Sequence, residues 1–262
     1  MTERDEGRGR IALVTGGASG IGHATAGMLA ERGWRVVIGD LDAERCKAAA
    51  KPIGGEFVAF DVSDEAATED ALNDIERRLG PVEALMANAG LIQPPTPPED
   101  FALADFDRIV AVNLRGVYVS CTAAGRRMAQ RGSGGIVVTG SVTATRSAPL
   151  HAYAPTKAAV VHMAACLAAE WGRSGVRVNA VSPGFVGTPP LLAAIQRGQR
   201  DPELLRDAAA LGRMVEPIEI ARAVAFLFSD DASAITGINL PVDAGWLVGA
   251  HLTTYGGLRA AR

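Results

Sequence analysis

Short runs that are apolar at every position alternate along the chain with longer stretches of helical period. Ile11-Ala-Leu-Val and Ile136-Val-Val are runs of the first kind. A run apolar on both faces predicts a strand covered on both sides, as in a parallel sheet. Strands are predicted over 11–15, 35–39, 56–60, 84–87, 135–139, 176–181 and 239–242, and helices over 20–32, 43–50, 64–79, 105–131, 152–171 and 217–228. Alternation of the two with right-handed crossovers predicts a doubly wound α/β protein. No Pro/Ser-rich linker or repeat divides the series, so one domain is expected over 1–262. Residues 185–213 fit no crossover, being punctuated by prolines and then helical, and are expected to form a lid beyond a strand's carboxyl end. Pro94 to Pro98 reads as a stiff loop between a strand and a helix.

Composition narrows the class. Of 262 residues, 48% are hydrophobic and 21% charged, with a net charge of -3, which excludes a disordered chain and lacks the basic footprint of a nucleic-acid binder. With 30 glycines and 5% aromatics, the core must come from Ala, Val, Ile and Leu. The uncharged stretch from Val178 to Gln196 holds three prolines and two glycines, so no membrane span is expected. The first ten residues are polar and of mixed charge, without a secretory pattern, and a cytoplasmic protein is expected. Cys46, Cys121 and Cys166 are far apart and ungrouped, and are expected to be reduced and mostly buried. His23, His162 and His251 are scattered, and no metal site is expected.

Candidate chemistry begins after the first strand. Thr15-Gly16-Gly17-Ala18-Ser19-Gly20-Ile21-Gly22 is a glycine-rich turn into a helix, which sets bare N–H groups and a positive helix end against a phosphate. The spacing is neither G-x-G-x-x-G nor a P-loop. Asp40 ends the second strand, where a carboxylate accepts hydrogen bonds from an adenosine ribose, and Leu41 follows it. Asp61 and Val62 follow the third strand; Asp61 fits an adenine edge or a helix N-cap equally.

Tyr153-Ala-Pro-Thr-Lys157 places a phenol and an ammonium on one helix face at i, i+4 spacing, so that the cation favours the phenolate needed for general acid/base work. Ser141 follows the fifth strand at the same sheet edge, with Ser147 as a rival. Asn113, a poor helix former in the middle of a helix, calls for a polar partner. A serine hydrolase using Ser141 and His151 is disfavoured, because no G-x-S-x-G elbow is present.

Together these motifs resemble the short-chain dehydrogenase/reductase family from about Arg10 to Trp246. The resemblance rests on Thr15-Gly-x-x-x-Gly-Ile-Gly22, Asn88-Ala-Gly90, Asn113, Ser141, Tyr153-x-x-x-Lys157, Asn179, Pro183-Gly184 with Thr188, and Val242-Asp243. It implies a single Rossmann-like domain with a seven-stranded parallel sheet in the order 3-2-1-4-5-6-7. It implies Tyr153 as acid/base, Ser141 as the group polarising the substrate oxygen, and Lys157 as the residue lowering the Tyr153 pKa and holding the nicotinamide ribose. Asn113 would anchor a water relay to Lys157. Gly16, Ser19, Gly20, Ile21, Gly22, Asp40, Leu41, Asp61, Val62, Asn88, Ala89, Gly90, Pro183, Gly184, Val186 and Thr188 would line the cofactor. The sequence departs from the family at Ala87, at Ala244 and in a spacing from Ser141 to Tyr153 one residue shorter than usual.

The reading is a reversible NAD-dependent oxidoreductase acting on a secondary alcohol (polyol, sugar or cyclic alcohol) and its ketone, with a 3-oxoacyl thioester reductase as the alternative and a non-catalytic dinucleotide-binding regulator as a weaker one. NAD is expected over NADP because Asp40 would repel the extra phosphate, and Ala18 and Ser19 offer no cation. Substrate-lining candidates are Gln93, Ser141, Thr143, Leu150, His151, Tyr153, Phe185, Leu191, Leu192 and Met214. A helix from Ala158 to Ala169 that is apolar nearly all round, and an apolar tail (245–262) with Trp246, Leu247, Val248 and Tyr255, predict a homotetramer.

Overall fold

The computed structural model describes residues 7–252 and 257–258, so Tyr255 lies outside the described residues. The chain runs β1 (Ile11–Thr15), α1 (Gly20–Glu31), β2 (Arg35–Asp40), α2 (Ala43–Ala50), β3 (Glu56–Ala59), α3 (Glu65–Leu79), β4 (Val82–Ala87), α4 (Leu103–Val110), α5 (Val117–Arg131), β5 (Gly134–Thr139), α6 (Tyr153–Trp171), β6 (Val176–Pro183), α7 (Pro189–Gln196), α8 (Pro202–Asp207), α9 (Pro217–Phe228), β7 (Asn239–Val242) and α10 (Trp246–Gly249). Among the described residues seven strands form one sheet in the order β3-β2-β1-β4-β5-β6-β7, every pairing parallel.

The two-sided burial follows from strand period. Ile11 and Leu13 of β1 face a core shared with α3, α5 and α6, whereas Ala12 and Val14 face the core under α1, α2 and α9. Each fully buried aliphatic side chain contributes roughly 1.5–3 kcal/mol. Because every strand runs the same way, all carboxyl ends meet at one edge, and the loops from β1, β2, β4, β5 and β6 converge there.

The long helix predicted over 105–131 is interrupted. A π-helical segment, Ala111–Gly116, joins α4 to α5. Its cause is visible at Asn113, which is fully buried: Oδ1 accepts from Leu91 N–H at 2.7 Å and Nδ2 donates to Leu91 O at 2.8 Å. Gly116 completes the segment by close approach, since a Cβ there would sit 2.9 Å from Val62 Cγ2.

The segment after β6 forms α7 and α8 and closes on its own stem. Val215 N–H donates to Phe185 O and Gly187 N–H to Val215 O, each at 2.9 Å. The segment from Gly245 to Ala250 packs onto it, with Trp246 edge-on to Phe185 at 5.7 Å and Leu247 O accepting from Arg146. Cys46 and Cys121 are buried, but Cys166 is exposed on α6, which corrects the expectation for that thiol. No helix among the described residues is long and apolar enough to cross a membrane.

Candidate active site

The first turn of α1 is open at the carboxyl edge. Gly20 has a φ of 55°, a left-handed conformation that a Cβ disfavours, and a Cβ on Gly22 would lie 2.3 Å from Gly16 O. Glycine therefore lets the turn fold tightly over the helix start. Ser19 stands at the N-cap position, yet its side chain caps nothing, and no acidic residue occupies the first turn. The leading N–H groups and the positive helix end keep their binding capacity. Thr188 faces them, since a Cβ on Gly20 would be 3.4 Å from its Cγ2.

Asp40 closes the side of this cradle. Its Oδ2 accepts from Ala18 N–H at 3.2 Å and its Oδ1 from Leu41 N–H at 2.8 Å, which fixes the carboxylate against the glycine turn. Leu41 is exposed beside it. Asp61 accepts from the N–H and hydroxyl of Ser63 at 2.8 and 2.7 Å, whereas α3 is capped by Asp64, which accepts from Ala67 N–H at 3.1 Å. The N-cap alternative for Asp61 is thereby corrected: the helix starts at Glu65, and the residue just before it is Asp64. Val62 is buried against Gly116.

Asn88 connects this cradle to the opposite half of the site. Its Nδ2 donates to Thr15 O and Gly16 O at 3.2 and 3.1 Å, and its Oδ1 accepts from the Thr139 hydroxyl at 3.2 Å. Thr139 O in turn accepts from Lys157 Nζ at 2.8 Å. A continuous chain of hydrogen bonds thus links the glycine turn to Lys157. Gly90 lies between Lys157 and Asn113, its absent side chain leaving room where a Cβ would meet Asn113 Oδ1 at 3.4 Å and Lys157 Nζ at 3.6 Å.

Ser141, Tyr153 and Lys157 converge at the ends of β5 and α6. Ser141 is buried, whereas the rival Ser147 is exposed. The Ser141 oxygen accepts from Thr143 N–H at 3.2 Å and from the Thr143 hydroxyl at 3.0 Å. A hydroxyl has two acceptor sites and one proton to give, so Ser141 is left as a donor. Burial pushes the Tyr153 phenol above its ordinary value, and a hydrogen bond from Ser141 opposes that rise. Lys157, 3% exposed, is pushed down to about 8 by burial. The ammonium is itself desolvated and bound to Thr139 O, and it lies 5.5 Å from the Tyr153 ring centroid.

The substrate-lining candidates divide. Phe185, Leu191 and Met214 are half-buried on the insertion after β6, Leu192 is exposed there, and Leu150 and Thr143 flank Ser141 and Tyr153. Val186 is buried in a bridge to Val215, Pro183 ends β6, and Gly184 follows it, close against Asp243. Gln93 is a correction: it is 1% exposed, and its Oε1 accepts from Ala152 N–H at 2.7 Å and Tyr153 N–H at 3.1 Å. His151 contacts Thr96 O and the Gln93 amide through Nε2 and meets the edge of Phe101 at 5.2 Å, so its ring is held by the proline-rich loop. Sequence reasoning passed over Thr139, whose carbonyl holds Lys157; only its place at the end of an apolar strand marked it.

Three comparisons bear on this arrangement. The family model described as enoyl-(acyl carrier protein) reductase matches residues 16–247. D-threitol dehydrogenase of Mycolicibacterium smegmatis is 39% identical over 246 residues, covering 92% of this chain and 94% of that protein. Among solved structures, a chain described as ribose-5-phosphate isomerase from Brucella melitensis 16M is 46% identical with a TM-score of 0.95, covering 98% of this chain and 100% of that one. A 3-ketoacyl-(acyl-carrier-protein) reductase from Brucella melitensis, complexed with NADH, is 34% identical with a TM-score of 0.85, covering 92% and 99%. The match over most of the chain, the sheet order and relatives of this identity show that the chain belongs to the short-chain dehydrogenase/reductase family of oxidoreductases.

Proposed function

We propose that the protein interconverts a secondary alcohol and its ketone with NAD, the alcohol being a polyol, a sugar or a cyclic alcohol. One observation carries the reading: Ser141, Tyr153 and Lys157 meet beside a helix start whose N–H groups have no side-chain cap. The dinucleotide pyrophosphate would lie on Ser19, Gly20, Ile21 and Gly22, the adenosine ribose on Asp40, and the nicotinamide half between Lys157 and the strip Pro183, Gly184, Val186 and Thr188. Bound there, the nicotinamide supplies the hydride acceptor or donor.

The chain's own groups manage the proton. In oxidation the Tyr153 phenolate takes the hydroxyl proton of the alcohol, and in reduction the phenol returns it to the carbonyl oxygen. Ser141, with both acceptor sites filled by Thr143, has one proton to give, and when the alcohol binds that donor turns from Tyr153 to the substrate oxygen, where it stabilises the charge that develops. Lys157 keeps two N–H donors beyond the one on Thr139 O, enough to hold ribose hydroxyls. Asn113, with its side chain committed to Leu91, serves through the π segment that it stabilises. The insertion from Phe185 to Arg213 is the lid over the substrate.

The likeness to a chain described as an isomerase raises a second reading, aldose phosphate isomerisation. That reaction needs a base that moves a proton between adjacent carbons and a cation for the substrate phosphate. Lys157, buried on Thr139 O, is a poor phosphate clamp, and the open α1 start suits a dinucleotide better. A thioester reductase drawing on NADPH is disfavoured by Asp40. Free Cys46, Cys121 and Cys166 fit a cytoplasmic setting. Ala158, Cys166 and Ala169, with His162 between them, leave an exposed face on α6 of mostly small residues that fits a second copy, in line with a homotetramer.

The ratio of kcat/KM for NAD and NADP tests the cofactor reading. Wild type should favour NAD, and Asp40→Ala should move the ratio toward NADP by at least about tenfold, because the carboxylate no longer opposes a 2′-phosphate. A wild type that favours NADP contradicts the role given to Asp40.

A further inference from the structure

Helix α6 begins at the residue that matters most, Tyr153, and a helix start is where backbone order is weakest. Its N-cap residue is Ala152, which has no side chain to satisfy the leading N–H groups. The other donors of that turn are accounted for in turn. Ala154 N–H goes to Leu150 O at 2.8 Å, Pro155 has no N–H, and Thr156 N–H reaches Ala152 O at 3.5 Å. Ala152 and Tyr153 remain, and both donate to Gln93 Oε1, a residue about sixty positions earlier in the chain. Two backbone donors converging on one side-chain atom also fix the amide orientation, since an NH2 group cannot accept them.

Gln93 is itself anchored. Two residues before it, Leu91 is gripped through both its N–H and its C=O by Asn113. On its other side the amide nitrogen packs 3.4 Å from His151 Nε2, which in the tautomer that carries the proton there donates to Thr96 O at 3.1 Å within the proline-rich loop. The short segment from Leu91 to Gln93 therefore ties the π segment to the first turn of α6.

We propose that Gln93 is a positioning residue, whose carboxamide replaces the missing cap of α6 and thereby holds the Tyr153 phenol against Ser141. The inference rests on the acid/base role proposed for Tyr153. Gln93 touches no reacting atom; it sets where the reacting phenol stands, and small displacements of such a group weigh heavily on rate. The positive helix end facing Oε1 also means that a carboxylate at this position would cap as well as the amide does.

The test uses the full-length protein and three variants. Gln93→Met keeps the size and removes the acceptor, Gln93→Glu keeps the acceptor, and Gln93→Asn keeps the amide one methylene too short. With kcat expressed per titrated NAD site, Gln93→Met should fall about 10- to 100-fold, while the KM for the alcohol and the Kd for NAD stay within about twofold, and Gln93→Glu should recover most of the rate. Should Gln93→Met fail to fold, Gln93→Asn takes its place, with a smaller loss in the same parameter. A second readout needs no turnover. The ultraviolet titration of Tyr153, isolated by difference against Tyr153→Phe, should move upward in Gln93→Met as the Ser141 hydrogen bond loosens. Wild-type kcat per site in Gln93→Met, or a loss confined to KM or Kd, overturns the inference. A wild type inactive on every alcohol instead refutes the reaction, and the phenol titration then still decides the role of Gln93.

Discussion

Each edge of the sheet holds a desolvated cation, in a different state of satisfaction. At the amino edge a cavity of about 360 Å³ is lined by Arg10, Trp34, Glu83, Arg177, Phe228 and Asp230. Burial lowers the Arg177 pKa, but its guanidinium donates to Ile235 O and Ser229 O, each at 3.3 Å, and Asp230 favours its charge; Arg10 stacks over Trp34 at 4.6 Å. At the carboxyl edge the Nζ of Lys157 has one hydrogen-bond partner among the described residues, Thr139 O, and burial lowers its pKa to about 8. The helix starts differ within one edge. Asp42 caps α2 and Asp64 caps α3, which also begin at the carboxyl edge, whereas α1 and α6 there have no cap from their own N-cap residue. At the carboxyl edge it is the start of α1 that keeps unmet hydrogen-bonding capacity.

The comparison breaks most readily at the two buried cations. Lys157→Met should reduce turnover by at least about 100-fold, as expected for a residue that serves the proton step, and yet make the protein more stable. The pKa displacement corresponds to a penalty of about 3 kcal/mol; losing the bond to Thr139 O offsets part of it, so a gain of roughly 1–2 kcal/mol is expected in urea unfolding at pH 7. The pH dependence has a definite sign. Below about pH 8 folded and unfolded chains both hold this proton, and the penalty is present in full. Between about 8 and 10.5 the unfolded chain holds a proton that the folded chain has released, so this group makes stability rise with pH, and Lys157→Met should flatten that rise.

Arg177→Met should do the reverse. Two buried carbonyls lose their donor, which costs about 2 kcal/mol, while kcat should stay within about twofold of wild type. If Arg177→Met lost turnover as Lys157→Met does, or if both substitutions destabilised alike, the contrast between the edges would fail. The smallest effect is expected at Ala244, which holds a φ of 53°. Ala244→Gly relieves left-handed strain and gives back some of it as unfolded-chain entropy, for a net gain of about 0.5–1 kcal/mol in thermal or urea unfolding.

The strands were legible because β1 and β5 are apolar on both faces, and the edge at which Gly20, Ser141 and Lys157 meet follows from parallel direction alone. Asn113 was legible as an anomaly, a poor helix former inside a helix, but nothing in Ala111 to Gly116 distinguishes π from α hydrogen bonding before Leu91 is brought alongside. Gln93 was misread as substrate lining because its partners, Ala152 and Tyr153, lie far off in the chain, and capping across such a distance leaves no local signature. The burial of Lys157 was hidden for a related reason: i, i+4 spacing places its side chain beside Tyr153 but says nothing of burial or of Thr139 O. The departure at Ala244 was visible in the sequence, and the positive φ supplies its physical meaning.

The central claim is that the carboxyl edge carries alcohol oxidation with Tyr153 as the base. Its most direct test compares wild type with Tyr153→Phe, following the nicotinamide absorbance change with NAD across a panel of polyols, sugars and cyclic alcohols, with NAD affinity measured by calorimetry on the same preparations. The account predicts turnover by wild type on at least one of them, a loss of at least about 1,000-fold in Tyr153→Phe, and NAD binding within about threefold of wild type in the variant. Substantial turnover by Tyr153→Phe, or conversion of a sugar phosphate by wild type with no nicotinamide cofactor added, would contradict it.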